Sequence, residues 1–407
     1  MLRVRQTEDF EYARPGLLDE ILINANLLEF RPDSAVAAVS TASVPYSIDP
    51  LLTQFQLPGW WMNADGTLKG NHYLRLARAY FADTGIDLPT TPLVSAVGGR
   101  DETWVRIAAN VVRYQRDRLL DIRPQLDFFG AELRPVRIFA PALVAFGPNE
   151  DRINRLLGSA ASAAAGRPIS LPVIVPVDRL RDPVDVAAVL EGVPTEGVAE
   201  YFLWTPWVTE DLLLADEDLF ANVLTLIDAL ANRDIQVGHL YGTYLTLALR
   251  DVGITTFAHH LGWIDKGQPA EVTEGGARSC QLYVPGIRRP ARFLRARQMG
   301  RHLGNADYQD LFCNCTWCVG LFDAGHHPLD LMLEEQTIPW GKGSRQTPTS
   351  RATAANTWHF LQARRQEVLA FSMSSSSEVI ANDIDRAARL AGSDDRDRLT
   401  RIASTLA

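Results

Sequence analysis

Short apolar runs alternate along the chain with longer stretches whose apolar positions recur every three to four residues. Eight runs read as strands, at residues 36–44, 93–97, 137–145, 171–177, 199–205, 235–241, 254–260 and 281–285. The clearest helical stretch covers residues 102–119, where Trp104, Ile107, Ala108, Val111 and Val112 share one face. Residues 218–231 repeat the pattern with Leu219, Phe220, Val223, Ile227 and Leu230, and a short helix at 243–250 stops at Gly253. The Ala-rich residues 159–166 read as a helix with its following loop. Four serines at 374–377 form a hinge before a last helix, 378–391, and a charged tail.

Strands that alternate with helices predict parallel βαβ units. The fold class is therefore α/β, and eight strands favour a (β/α)8 TIM barrel, a fold of about 250 residues. A doubly wound sheet is the structural alternative. No Gly-x-Gly-x-x-Gly follows the first strand and no Walker loop occurs, which argues against a Rossmann dehydrogenase and a P-loop NTPase. The expected organisation is a barrel at residues 1–300, a metal-binding subdomain with a returning helix at 301–373, and a C-terminal helix and tail at 374–407.

Composition narrows the class. With 46% apolar and 22% charged residues the chain is ordinary for a globular protein, which excludes a disordered tract, a collagen-like repeat and a coiled coil. No apolar run is long enough to span a bilayer, so no membrane partner is expected. The first residues turn polar at once, which argues against a secretory signal. A net charge of −9 means that any contact with nucleic acid must be local. Among the 40 basic residues only Lys69, Lys266 and Lys342 are lysines, so the cations are almost all planar Arg forks suited to phosphate and carboxylate.

Three of the four cysteines, Cys313, Cys315 and Cys318, lie within six positions. That spacing is poor for disulfides and good for a metal, and it points to a reducing, cytoplasmic setting. Thiolates in a Cys-x-Cys-x-x-Cys loop suit Zn²⁺, whose structural sites take four ligands. Cys280, His326, His327 and His359 can each supply the fourth. His359 lies in a stretch that reads as a helix, able to present one imidazole to the loop.

Cys-x-Cys-x-x-Cys near the end of a barrel, with a His on the following helix, resembles the zinc site of the tRNA-guanine transglycosylases and of the DpdA-like enzymes that insert 7-deazaguanines into DNA. The segment Leu282-Tyr-Val-Pro-Gly-Ile-Arg-Arg-Pro-Ala-Arg-Phe-Leu-Arg-Ala-Arg resembles the stretch that joins the last strand to that zinc loop. The resemblance is sharp over residues 280–365 and topological over 36–260. It implies a (β/α)8 barrel, structural Zn²⁺ held by Cys313, Cys315, Cys318 and His359, and glycosyl transfer on a nucleobase. The family uses an aspartate after an early strand as general base, in an Asp-Ser-Gly context followed by Phe-Gln. A second aspartate, at a late strand end, attacks the ribose carbon. Asp65, in Ala64-Asp-Gly66, is the candidate for the first role. At the second position stands Ala258, followed by His259 and His260; the nearest carboxylate is Asp265.

His259 and His260 are candidate acid–base or phosphate-binding groups, because barrel sites sit at the C-terminal ends of strands. His239 and Tyr241, two apart on one face, are expected to line a pocket with Tyr244. Asp178, after the strand 171–177, is placed to bind the amide and amino edge of a guanine-like base. Trp204 and Trp207, around Thr205-Pro206, are candidates for stacking on a base. Arg288, Arg292 and Arg295 belong to a basic run without acids and form the candidate phosphate-backbone patch. Residues 323–356 read as an irregular loop. The favoured function is a zinc-containing transglycosylase-like enzyme that acts on a nucleobase in DNA or tRNA, by base exchange or N-glycosidic cleavage. The alternatives are a non-catalytic nucleic-acid-binding or partner subunit of the same fold, as a homodimer or beside an accessory protein, and a small-molecule barrel hydrolase.

Overall fold

The computed structural model describes residues 1–4, 7–86, 91–123, 134–260, 280–340 and 343–406. The chain divides into two compact units. The first comprises Met1–Gly242 with Val252–His260; the second comprises Thr243–Asp251 and, among the described residues, 280–406.

The first unit is a mixed α/β structure built on parallel sheets. One sheet joins β1 (Leu2–Val4), β2 (Ile21–Asn24), β3 (Tyr46–Asp49) and β8 (His259–His260) in the order β3-β2-β1-β8. The other joins β4 (Ile169–Ile174), β5 (Val198–Trp204), β6 (Gln236–His239) and β7 (Ile254–Phe257) in sequence order. Every ladder in both is parallel. Two isolated parallel bridges, Ile48 with Ile138 and Phe139 with Ser170, lie beside β3 and β4. β7 and β8 follow one another through Ala258, whose N–H donates to the His239 carbonyl and whose carbonyl accepts from Gly242. Ala258 is fully buried in an apolar cluster with Leu22, Phe139, Ile174, Phe202 and Trp204.

Four of the expected strands form at β4 to β7, and the run at 281–285 forms β9 (Gln281–Val284). β9 pairs antiparallel with β10 (Arg289–Arg292) in the second unit and joins neither parallel sheet. Residues 36–44 are not a strand. Residues 36–42 belong to the helix Pro32–Ala42, which has Pro at its start, Asp33 in its first turn, Ala35, Val36 and Val39 buried, and Ser43 as its left-handed cap. Proline at the first position and an acid beside the helix N-terminus are helix-start signals that outweigh a run of small β-branched residues. Residues 93–97 are likewise a short helix, Leu93–Val97, with Leu93 and Val97 buried one turn apart and Gly98 ending it at φ +62. The strands overlooked in the sequence, β1, β2 and β3, have three or four residues each and are buried throughout. Strands covered on both faces show no alternation, and runs this short give no periodicity to read.

The helix predicted at 102–119 is Asp101–Ile122, with the expected apolar face buried and two acids in the first turn. The stretch read at 218–231 is the helix Glu217–Ala231, and the Ala-rich residues 159–165 are the end of a longer helix, Pro148–Ala165, with Gly166 as its cap. In the second unit, residues 323–356 are not an irregular loop. They carry the helix Pro328–Met332 and the antiparallel strands β11 (Glu335–Trp340) and β12 (Gly343–Pro348). The charged tail is a helix too, Ser393–Leu406, with Leu399 and Ile402 buried.

Candidate metal centre

Cys313 follows a single π-helical turn, Tyr308–Phe312. Cys315 caps the helix Thr316–Asp323 with extended backbone, and Cys318 lies in that helix's first turn. The Cys315 N–H donates to Cys313 Sγ at 3.3 Å, so the loop is already bent around one sulfur. Gly286 helps to place it: a Cβ there would stand 2.1 Å from the Leu311 carbonyl oxygen, so only glycine lets the two backbones approach.

The fourth group is His359, in the middle of the helix Ser350–Met373. Its Nδ1 lies 3.6 Å from Cys313 Sγ, 3.6 Å from Cys315 Sγ and 3.3 Å from Cys318 Sγ. The four ligand atoms fall within 4.8 Å of one another, and all four residues are buried. A tetrahedral ion with sulfur at about 2.3 Å and nitrogen at about 2.0 Å spaces its ligand atoms by roughly 3.5–3.8 Å. The donor set and its geometry fit a metal ion with no further position open. Nε2–H of His359 donates to the Tyr283 carbonyl at 2.8 Å, which leaves the Nδ1 lone pair aimed at the sulfurs. The same helix holds the cysteine loop at two more points: Gln362 accepts from the Trp317 N–H at 2.6 Å, and Gln366 donates to the Asn314 carbonyl at 3.1 Å.

Electrostatics mark the cluster as more than packing. Burial raises the Cys313 and Cys318 thiols, whereas hydrogen bonds from those two sulfurs hold Cys315 far below an ordinary thiol. Burial alone would lower His359, but the sulfur charge beside it reverses the sign. The other candidate fourth ligands are not part of the cluster. Cys280 donates to the Gln346 carbonyl, and burial pushes its thiol up to about 11. His326 is exposed. His327 caps the helix Pro328–Met332 and packs edge-on to Tyr308 and Phe322.

The predicted basic patch needs correction. Arg288 is buried, with Nη1 on Glu367 at 2.9 Å and Nη2 on Asp383 at 2.5 Å. Arg295 pairs at 2.6 Å with Asp395, a carboxylate that also holds Arg289. The neutralising acids come from residues 367, 383 and 395, so the run looked unpaired only locally. Arg292 and Arg297 are exposed and, among the described residues, unpaired.

The strand ends of the first unit gather several candidates. Trp204 closes β5 and packs on Tyr241 with ring centroids 4.9 Å apart. The Tyr241 N–H donates to His239 Nδ1 at 3.2 Å, and burial pushes the His239 imidazole down to about 4. Tyr244, expected beside them, belongs to the second unit, where its phenol donates to Asp383. His259 is buried on β8, its N–H on the Met1 carbonyl and its ring 5.8 Å from Phe257. His260 pairs with Arg3 in the β8–β1 ladder. Asp178 is exposed after β4, in the short helix Val177–Leu180. Asp65 does not join the group. It lies in an exposed turn closed by the Met62–Leu68 bridge, its carboxylate taken up by the Thr67 N–H at 2.9 Å and hydroxyl at 2.6 Å. Those bonds hold it below the usual carboxylate range. Asp265 lies outside the described residues.

Asp49 was missed. It is the last residue of β3, buried, ion-paired to Arg3 and accepting the Leu51 N–H at 3.2 Å. The Arg3 guanidinium in turn stands 4.2 Å from the Tyr241 ring centroid. The step Asp49-Pro50 after a buried run was the available signal, hidden because the strand before it has four residues. Compared with protein-family models and with curated proteins, the chain matches none.

Proposed function

We propose that the chain is a zinc-stapled (β/α)8 protein that acts on a nucleobase within a nucleic acid, as the tRNA-guanine transglycosylases and DpdA-like enzymes do. The observation that carries this reading is the closed Cys313–Cys315–Cys318–His359 cluster. Three thiolates and one imidazole within 4.8 Å of one another suit Zn²⁺ in a structural role, where the ion would tie loop to helix and leave no position for a substrate. The barrel reading draws support from both margins of the parallel sheets. β7 and β8 are consecutive, one paired with β6 and the other with β1, and the bridges at Ile138 and Phe139 reach β3 and β4. Those links support reading the two sheets as arcs of one parallel ring.

Asp49 replaces Asp65 as the acid–base carboxylate. It ends an early strand, as that role requires, and Phe55-Gln56 follow it. Arg3 and the Leu51 N–H hold the carboxylate in one orientation beside Tyr241, with the Trp204 ring next in line. A second reading, a non-catalytic binding or partner subunit, is supported by one observation: Ala258, at the position the resemblance assigns to a nucleophile, is a fully buried apolar residue.

The test is exchange of a labelled base into tRNA and into duplex DNA, alongside zinc content and binding across a salt series. The expected result is one zinc per chain and exchange that Asp49→Asn lowers at least about 10²-fold while Asp65→Asn leaves it intact. Arg292→Ala should weaken binding and flatten its salt dependence. Nucleic-acid binding without exchange would establish the binding-subunit reading. Zinc without nucleic-acid binding would overturn both in favour of a small-molecule enzyme.

A further inference from the structure

The turn after β5 holds a tryptophan where the backbone favours glycine. Thr205, Pro206, Trp207 and Val208 form a tight turn closed by the Val208 N–H on the Thr205 carbonyl, and Trp207 sits at its third position with φ +65. A proline-led turn with positive φ at that position selects Gly or Asn, and a bulky side chain there is strained. Packing does not explain the choice, because Trp207 stays 39% exposed. It lies instead against a second exposed ring: Phe146, 42% exposed, has its centroid 6.4 Å away with the planes within 28°.

Backbone pairing shows what surrounds these rings. Ala145 donates to the Ile174 carbonyl, and Val175 donates to the Trp204 carbonyl, so three segments run side by side at this level. Phe146, Asp178 and Trp207 lie one, four and three residues beyond that row, and Asp178 is on the middle segment. Asp178 is exposed and, among the described residues, has no partner. Asp211 is exposed in the first turn of the helix Glu210–Ala215 that follows Trp207. The nearby cations are spent: Arg179 is buried on Asp151, and Arg181 pairs with Asp216. The segment ends thus offer two aromatic faces and uncompensated carboxylates.

We propose that Phe146 and Trp207 form a binding platform for an organic cation, an alkylammonium group that rests on the ring faces and is drawn in by Asp178. Aromatic faces attract such cations through the ring quadrupole, and the surrounding negative charge disfavours phosphate and carboxylate ligands. The proposal stands independently of the nucleobase reading.

Choline and its uncharged isostere 3,3-dimethylbutan-1-ol, titrated into the full-length protein under ligand-observed NMR, test it. Choline should bind saturably and the alcohol should not. Trp207→Gly should weaken choline at least about fivefold while the melting temperature holds or rises, because glycine suits the turn. Asp178→Asn should weaken it in a manner that added salt reproduces. Equal binding of the two probes, choline binding that survives Trp207→Gly, or no saturable choline binding would each overturn the proposal.

Discussion

His359 shows how much one side chain can be asked to do. Its two ring nitrogens face different masters, Nε2–H the Tyr283 carbonyl and Nδ1 the three sulfurs, so its tautomer is set by backbone rather than by pH. Gln362, one turn along, grips the Trp317 amide and positions the loop without being one of the four candidate ligands. Removing such an outer partner typically costs 10–100-fold in metal affinity. We expect Gln362→Leu to lower Co²⁺ affinity by about tenfold while keeping a tetrahedral thiolate spectrum, whereas His359→Ala should change the spectrum itself. Competition against a chelator with visible absorption as readout distinguishes them. Unchanged affinity in Gln362→Leu would mean that the cysteine loop holds its shape unaided.

Among elements, the helix Ser350–Met373 is the organiser of the second unit. One part of it carries His359, Gln362 and Gln366 to the cysteine loop. Glu367, one position after Gln366, accepts from Tyr283 and Arg288, and Arg288 continues to Asp383 on the helix Ser376–Ala391. The serine-rich residues 374–377 are therefore a helix start, with Ser375 capping the Glu378 N–H, rather than a hinge. Arg288→Ala would leave the buried Asp383 without its cation and Glu367 with Arg364 alone. The expected loss is about 3–5 kcal/mol of stability, read as a shift in the urea midpoint. A loss below about 1 kcal/mol, the range of an exposed pair, would mean that the network is solvated. The sequence read these Arg residues as a surface patch because a run of like charge is judged against neighbours in the chain, and their partners are roughly eighty to a hundred residues away.

At the scale of the whole molecule, one buried and one half-buried histidine give stability a pH dependence. His72 and His239 are both pushed down to about 4 by burial, from an ordinary 6.5. Between those values the unfolded chain takes up protons that the native state refuses, so stability falls as pH drops from about 6.5 to about 4 and no further through these groups. The slope is at most about 1.4 kcal/mol per pH unit for each histidine. Urea midpoints across that window check it, with metal content followed in parallel because protonated thiols release metal as well. His239→Gln should flatten the slope, and an unchanged slope would show that His239 titrates normally.

What the sequence determined by itself was local. Three sulfurs within six positions are brought together by chain geometry whatever the rest does, and the helix Asp101–Ile122 declares itself through one apolar face. The later strands were legible for the same reason, since runs of four to seven apolar residues between helix signals leave few alternatives. Tertiary structure decided the rest. It selected His359 over three competing ligands, withdrew Arg288 and Arg295 into ion pairs, left Asp65 in a surface turn and brought Asp49 against Arg3, forty-six residues away. Each choice depends on which distant group packing brings within bonding distance. The energies of burial and pairing arise only in the folded chain, so no periodicity or spacing announces them.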